Sequence, residues 1–179
     1  MSNLYSITPD SVLNWLTAFC IFEIPLAYFF LKISNKNDHV VRWYSGKIIN
    51  IWNVIAQDML YAFCGIILAV NLFNHLSLKK IIQKKFYIFL CILVGIQWMG
   101  DLSFAMIIKN WPQKNTTKWV NFFKSYVKTS GINALVGDTL WILSWALVYY
   151  LVVNYIHRFD VKIFIICLFF FLVSAYSVL

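Results

Sequence analysis

"FYIFLCILVGIQWMGDLSFAMII", residues 86–108, decides the solvent in which this chain folds. The run holds no lysine, arginine or histidine, and it is long enough to cross a hydrocarbon core of ~30 Å, which takes ~20 apolar residues in a helix. Two of its residues do not fit a purely apolar span. Gln97 and Asp101 stand four apart and so share one helix face, and no basic residue within the run can pair with the carboxylate.

The rest of the chain agrees with this stretch. Of its 179 residues, 61% are hydrophobic, 19% aromatic and only 12% charged, with a mean hydropathy of +0.73. A soluble domain of this size needs more charge to cover its surface. Apolar runs predict five spans, over 11–31, 48–73, 86–108, 132–156 and 161–179, so the fold class is an all-α polytopic membrane helix bundle forming one domain, 1–179. In "ITPDS", Thr8 reads as a helix cap, with Pro9 in the first turn and Asp10 at the positive end of the dipole. The segment "MSNLYSITPD" has neither a basic n-region nor a small-residue cleavage site, so the first span is expected to serve as an uncleaved anchor.

The formal net charge of +8 does not point to nucleic acid, because its distribution is that of a membrane protein. The fifteen basic residues lie outside the span cores, with Lys162 at the very edge of the fifth. The four loops carry 4, 4, 5 and 2 of them, and the termini none. The N-terminal side of the bilayer thus holds 6 and the opposite side 9. The first span is more lopsided, with Lys32, Lys36, Arg42 and Lys47 all after it. The N-terminus is therefore expected outside and the C-terminus in the cytoplasm. Lys79, Lys80, Lys84 and Lys85 pull the other way.

The four cysteines, Cys20, Cys64, Cys91 and Cys167, fall within spans and lack CxxC spacing. They read as packing residues and not as a disulfide framework or thiolate metal site. Between the third and fourth spans, Trp119, Phe122, Phe123 and Tyr126 recur at helical spacing, opposite Lys118, Asn121, Ser125 and Lys128. This pattern predicts a short amphipathic helix over 117–129 lying in the headgroup region and entering the fourth span at Ser130-Gly131. The sequon Asn115-Thr116-Thr117 lies in the same loop. With the C-terminus cytoplasmic it faces the cytosol, and a glycan there would invert the topology.

Four of the seven acidic residues stand in apolar spans: Glu23, Asp58, Asp101 and Asp138. Glu23 is nine residues from Lys32, Asp58 eleven from Lys47, Asp101 eight from Lys109 and Asp138 ten from Lys128. At 1.5 Å per residue these are depths of roughly 12–16 Å, which places all four in one layer. Gln97 accompanies Asp101, while Asn53 and Gln57 make a polar stripe with Asn50 and Tyr61 beside Asp58. The Asp138 face continues through Trp141 and Trp145. Pro25 frees the carbonyl of Ile21 close to Glu23. Gly65, Ala69, Gly100 and Gly137 allow close helix approach.

An ionised carboxylate at the bilayer centre costs at least ~2.5–3.5 kcal/mol. No lysine, arginine or histidine enters these cores, since His39, His75 and His157 lie in loops or at span ends. Some acids are then protonated, or they share a cation or cationic ligand, or they face a water-filled cavity. Oxygen-only ligands suit a divalent cation such as Mg²⁺, Ca²⁺ or Mn²⁺, with Asp58, Asp101 and Asp138 as its metal ligands. Trp141 and Trp145 are placed to flank an apolar or cationic ligand. The chain has no clustered histidine boxes, no HExxH, no GxSxG, no paired Cys/His and no glycine-rich phosphate loop.

The stretch "GDLSFAMIIKNWP…KWVNFFKSYVKTSGINALVGDTLW" resembles multi-span proteins encoded by large DNA viruses. Asp101, Phe123, Lys124, Tyr126, Gly137 and Asp138 carry the likeness, and the Asn/Lys/Ile-rich composition fits an AT-rich genome. That group has no established activity, so the resemblance implies a membrane location and no reaction.

Three functions remain open at this level. The first is a channel or carrier component binding protons, a metal cation or a cationic small molecule through Asp58, Asp101 and Asp138, with Glu23 tuning them and Gln57 and Gln97 orienting them. Five helices are few to enclose a path, so a homo-oligomer in the lipid bilayer is expected. The second is a lipid- or sterol-binding protein or lipid-modifying enzyme. The third is a structural or assembly protein whose acids merely hold the bundle together.

Overall fold

The structure is a computed structural model that describes residues 5–33, 39–46 and 48–178. Among them are seven α-helices and no strand: α1 (Pro9–Ile33), α2 (His39–Tyr44), α3 (Ile51–Leu78), α4 (Phe86–Lys109), α5 (Lys118–Ser130), α6 (Ile132–Tyr155) and α7 (Phe159–Val178). A single 3₁₀ turn, Gln113–Asn115, leads into α5. Helices α3, α4 and α6 are each long and apolar enough to cross a membrane.

Local chemistry explains where the helices begin. Thr8 Oγ1 accepts from the Ser11 N–H at 3.2 Å, and the Thr8 N–H donates back to Ser11 Oγ at 2.8 Å. This reciprocal cap satisfies two donors that the helix itself leaves bare. Asn50 caps α3 by accepting from the Trp52 N–H, and Thr117 caps α5 by accepting from the Val120 N–H. Gly131 sits at φ +49°, ψ −128° between α5 and α6. That backbone conformation is open chiefly to glycine, and it lets one helix turn into the next without a loop.

Helix α1 packs on α6 and α7, α4 packs on both α3 and α6, and α5 lies against α4. The α1–α6 contact is aromatic. The Trp15 ring stacks on Tyr149 at 3.7 Å and 4°, and Trp145 meets Trp15 edge-on at 5.6 Å. The Trp145 N–H donates to the Trp15 carbonyl at 2.9 Å. Ring area of this kind supplies most of the contact energy available where lipid removes the hydrophobic drive between helices.

Between α1 and α3 the described residues include a short helix. Helix α2 folds back against the bundle and buries Val41, Trp43 and Tyr44. Trp43 stacks on Phe122 of α5 at 5.5 Å and meets Phe123 edge-on at 5.0 Å. Phe104 of α4 touches Trp119 and Phe123. The aromatic face of α5 therefore lies on α2 and α4, and the two short helices together close one end of the bundle. Helix α3 runs to Leu78, past the expected boundary at 73, and on this added length the Asn74 amide donates to the Tyr5 carbonyl at 2.7 Å.

Candidate functional site

All four acids lie near the closed end. Glu23 stands ten residues before the end of α1 and Asp101 eight before the end of α4. Asp58 and Asp138 stand seven and six residues after the starts of α3 and α6. These spacings put them roughly 9–15 Å along the helix axes from that end.

Glu23 is 1% exposed, and neutral donors hold its carboxylate. The Tyr44 hydroxyl donates to Oε1 at 2.6 Å, and the Trp141 N–H donates to Oε2 at 3.2 Å. The same Tyr44 hydroxyl lies 3.2 Å from Asp58 Oδ2. The Trp43 N–H is 3.3 Å from Asp58 Oδ1 and 3.2 Å from Oδ2. Glu23 and Asp58 thus form one group with Tyr44 between them, joining α1, α2, α3 and α6. Neither Trp43 nor Tyr44 is singled out by the sequence, because six residues are too few to show a helical period. Their signal is the aromatic pair in "HVVRWY", which carries two polar hydrogens beside an apolar stretch.

Asp101 forms a second group. Its Oδ1 accepts from the Tyr61 hydroxyl at 2.7 Å and from the Gln97 amide at 2.9 Å, while Oδ2 is buried with no partner among the described residues. Gln97 is itself buried, and its pairing with Asp101 at i, i+4 is the one the sequence predicts. Asp138 is half-buried on α6. Beside it, Thr139 accepts from the Trp98 N–H at 2.7 Å, tying α6 to α4.

Of the remaining expected residues, Trp141 and Trp145 stay in ring contact at 5.4 Å but differ in their hydrogen bonds. Trp141 reaches Glu23 across the α1–α6 contact. Trp145 is fully buried among Trp15, Phe19 and Phe63, with its N–H used on a backbone carbonyl. Gln57 is exposed and accepts from the Trp119 N–H at 2.9 Å, so it binds the α5 cap and not an acid. Asn53 is exposed on α3. Helix α1 continues through Pro25, beside an open apolar groove of about 360 Å³ lined by Ile21, Phe22, Pro25, Leu26 and Val148.

Among the described residues no three His, Cys, Asp or Glu side chains come together to hold a metal ion. Asp58 and Asp101 belong to two separate hydrogen-bonded groups, and Asp138 stands on a third helix, α6. Each group is built from neutral O–H and N–H donors. In each group a tyrosine hydroxyl, Tyr44 or Tyr61, can switch between donating and accepting, whereas the indole N–H groups only donate.

No family model, curated protein or solved structure matches the chain. Its site has to be read from its own chemistry.

Proposed function

We propose that the chain is a multi-pass integral membrane protein, part of a channel or carrier, whose buried acids bind and release protons. In this reading α1, α3, α4, α6 and α7 span the bilayer, with the N-terminus outside and the C-terminus cytoplasmic. Helices α2 and α5 cap the cytoplasmic end.

The Tyr44 hydroxyl, 2.6 Å from Glu23 and 3.2 Å from Asp58, carries this reading. Tyr44 has one hydrogen to offer two carboxyl groups. A proton on either carboxyl makes the Tyr44 oxygen both donor and acceptor and completes a Glu23–Tyr44–Asp58 chain. A divalent cation would have to displace the N–H and O–H donors from oxygens it needs within 2.0–2.6 Å. A proton uses the same donors. Asp138 then extends the acids toward Asp101 and the partly exposed Tyr61.

The test is infrared spectroscopy of the protein in lipid, titrated with pH, beside proton flux into proteoliposomes followed with an enclosed pH dye. A protonated-carboxyl band that responds to pH and disappears in Glu23→Gln or Asp58→Asn supports proton binding. Flux lost in the same variants supports transport. A band that is absent or unaffected by either substitution overturns the proposal.

One observation favours a second, structural reading. Glu23, Asp58 and Asp101 each accept at least one hydrogen bond from another helix: Glu23 from α2 and α6, Asp58 from α2, Asp101 from α3. The acids would then specify packing, and Gln or Asn variants would lower stability with no titrating band to lose.

A further inference from the structure

Helix α3 carries a stripe that differs from the outward faces of α6 and α7. Asn53, Gln57, Leu60, Cys64, Ile67 and Asn71 follow one another at alternating spacings of four and three, and all six are exposed. Its opposite face, with Val54, Ala62, Ile66, Ala69 and Phe73, is the one buried in the bundle. The outward face of α7 shows what this molecule presents to lipid: Phe164, Leu168, Phe171 and Leu172, all exposed and all apolar. On α6 the corresponding residues are Val136, Leu140, Leu147 and Leu151. Among the described residues, α3 places three amides, Asn53, Gln57 and Asn71, on such a face, and α6 one, Asn133.

Their positions make Gln57 and Asn71 costly against lipid. Gln57, Cys64 and Asn71 are spaced by seven, and Cys64 lies at the middle of the 28-residue helix. Gln57 and Asn71 are therefore each about 10 Å from the midpoint, inside a hydrocarbon core of ~30 Å. Polar groups at that depth turn toward protein or water and not toward acyl chains.

We infer that the Asn53–Asn71 face of α3 is the contact between two copies of this chain, paired as parallel helices about a two-fold axis along the membrane normal. The inference rests on the reading of α3 as a membrane span, and not on proton binding. The alternation of four and three is the seam of a left-handed helix pair, which returns to the same face every seven residues. All copies enter the bilayer in one direction, so each residue of the seam meets its own copy at the same depth. A carboxylate or an ammonium repels its twin, whereas an amide has both donors and an acceptor and pairs with itself. The polar residues on this seam are amides. The nitrogen of Gln57 takes no part in its bond from Trp119, which uses the oxygen. Asn71, whose nitrogen donates once to the Ile67 carbonyl at 2.9 Å, keeps its oxygen and a second N–H. Cys64 falls at the centre of the seam, where the two helices come closest.

The test uses the full chain in native membranes, with variants retaining one cysteine each: Cys64, Cys91 or Cys167. Copper phenanthroline oxidation should give a disulfide-linked dimer from the Cys64 protein and little from the Cys167 protein, whose cysteine lies on the apolar face of α7. Asn71→Leu and Gln57→Leu should each lower the dimerisation constant about threefold, the equivalent of the ~0.6 kcal/mol typical of a hydrogen bond between membrane helices. No Cys64 dimer, or equal cross-linking through Cys167, overturns the inference. Alkaline carbonate separates the two levels. A chain released from the membrane removes the bilayer reading and the dimer with it, whereas a chain retained but not cross-linked removes the dimer alone. The mass of the detergent-purified protein, with and without Asn71→Leu, checks the result independently of any cysteine.

Discussion

Tyr61 reaches Asp101 because residue 100 has no side chain. A β-carbon on Gly100 would collide with the Tyr61 hydroxyl and crowd its ring carbon at 3.2 Å. The missing methyl group thus opens the path along which the hydroxyl donates to Asp101 at 2.7 Å. Gly100→Ala gains up to about 1 kcal/mol of helix propensity and loses about 1–3 kcal/mol to overpacking. We expect a net loss, seen as a lower melting temperature in detergent. Tyr61→Phe removes the colliding atom, so Gly100→Ala should cost less in that background. Equal costs in both backgrounds would show that the two residues do not interact.

Tyr44→Phe removes the shortest hydrogen bond to a carboxylate with almost no exposure. A buried acceptor left without its donor costs about 1–3 kcal/mol. The variant should melt lower than wild type. Replacing Glu23 by Gln in the Tyr44→Phe protein should recover part of that loss, because a neutral amide needs less from its surroundings than a carboxylate. The coupling between the two substitutions, read from a double-mutant cycle, is the measurement. Strictly additive effects would argue against a shared hydrogen bond.

Reading the chain from its residues succeeds where a signal repeats. Helices α3, α4 and α6 are legible from apolar runs, α1 from its Thr8 cap, and α5 from the spacing of Trp119, Phe122, Phe123 and Tyr126. The position of the acids near one end is legible from their distance to the flanking lysines, and Gln97–Asp101 from spacing alone. Contacts between helices leave no such trace. Nothing in the order of residues says that Tyr44 stands between Glu23 and Asp58, or that Trp141 serves Glu23 and not Asp138 on its own helix. The face shared by Trp141 and Trp145 splits for a geometric reason. Trp145 is one turn deeper, where Trp15 and Phe19 of α1 cover it completely.

The two tryptophans of the α1–α6 contact should respond unequally to truncation. Trp15 is buried and its N–H has no partner among the described residues, whereas the Trp145 N–H donates to the Trp15 carbonyl at 2.9 Å. Phenylalanine at either position removes ring area. At Trp15 it also removes an unpaired donor, which offsets about 1–3 kcal/mol of the loss. At Trp145 it removes a hydrogen bond to a backbone carbonyl instead. Melting temperatures should therefore fall further for Trp145→Phe than for Trp15→Phe. The reverse order would place a partner on the Trp15 nitrogen.

The α6–α7 turn supplies a control for any pH dependence found in the bundle. Arg158 donates to Asp160 at 3.1 and 2.5 Å, and its guanidinium holds the Asp160 carboxyl below the usual range. A depressed carboxyl contributes stability that is present above its unfolded value and lost only as pH falls through the lower folded value. Between pH 7 and pH 5 the pair stays ionised, and both groups are largely exposed, so screening by water keeps its contribution small. Asp160→Asn should leave the shape of the melting profile over that interval unchanged. Glu23→Gln and Asp58→Asn should flatten it if their carboxyl groups exchange protons there. A profile altered by Asp160→Asn and untouched by the other two would place the pH-sensitive element at the turn and remove the case for a proton site at Tyr44.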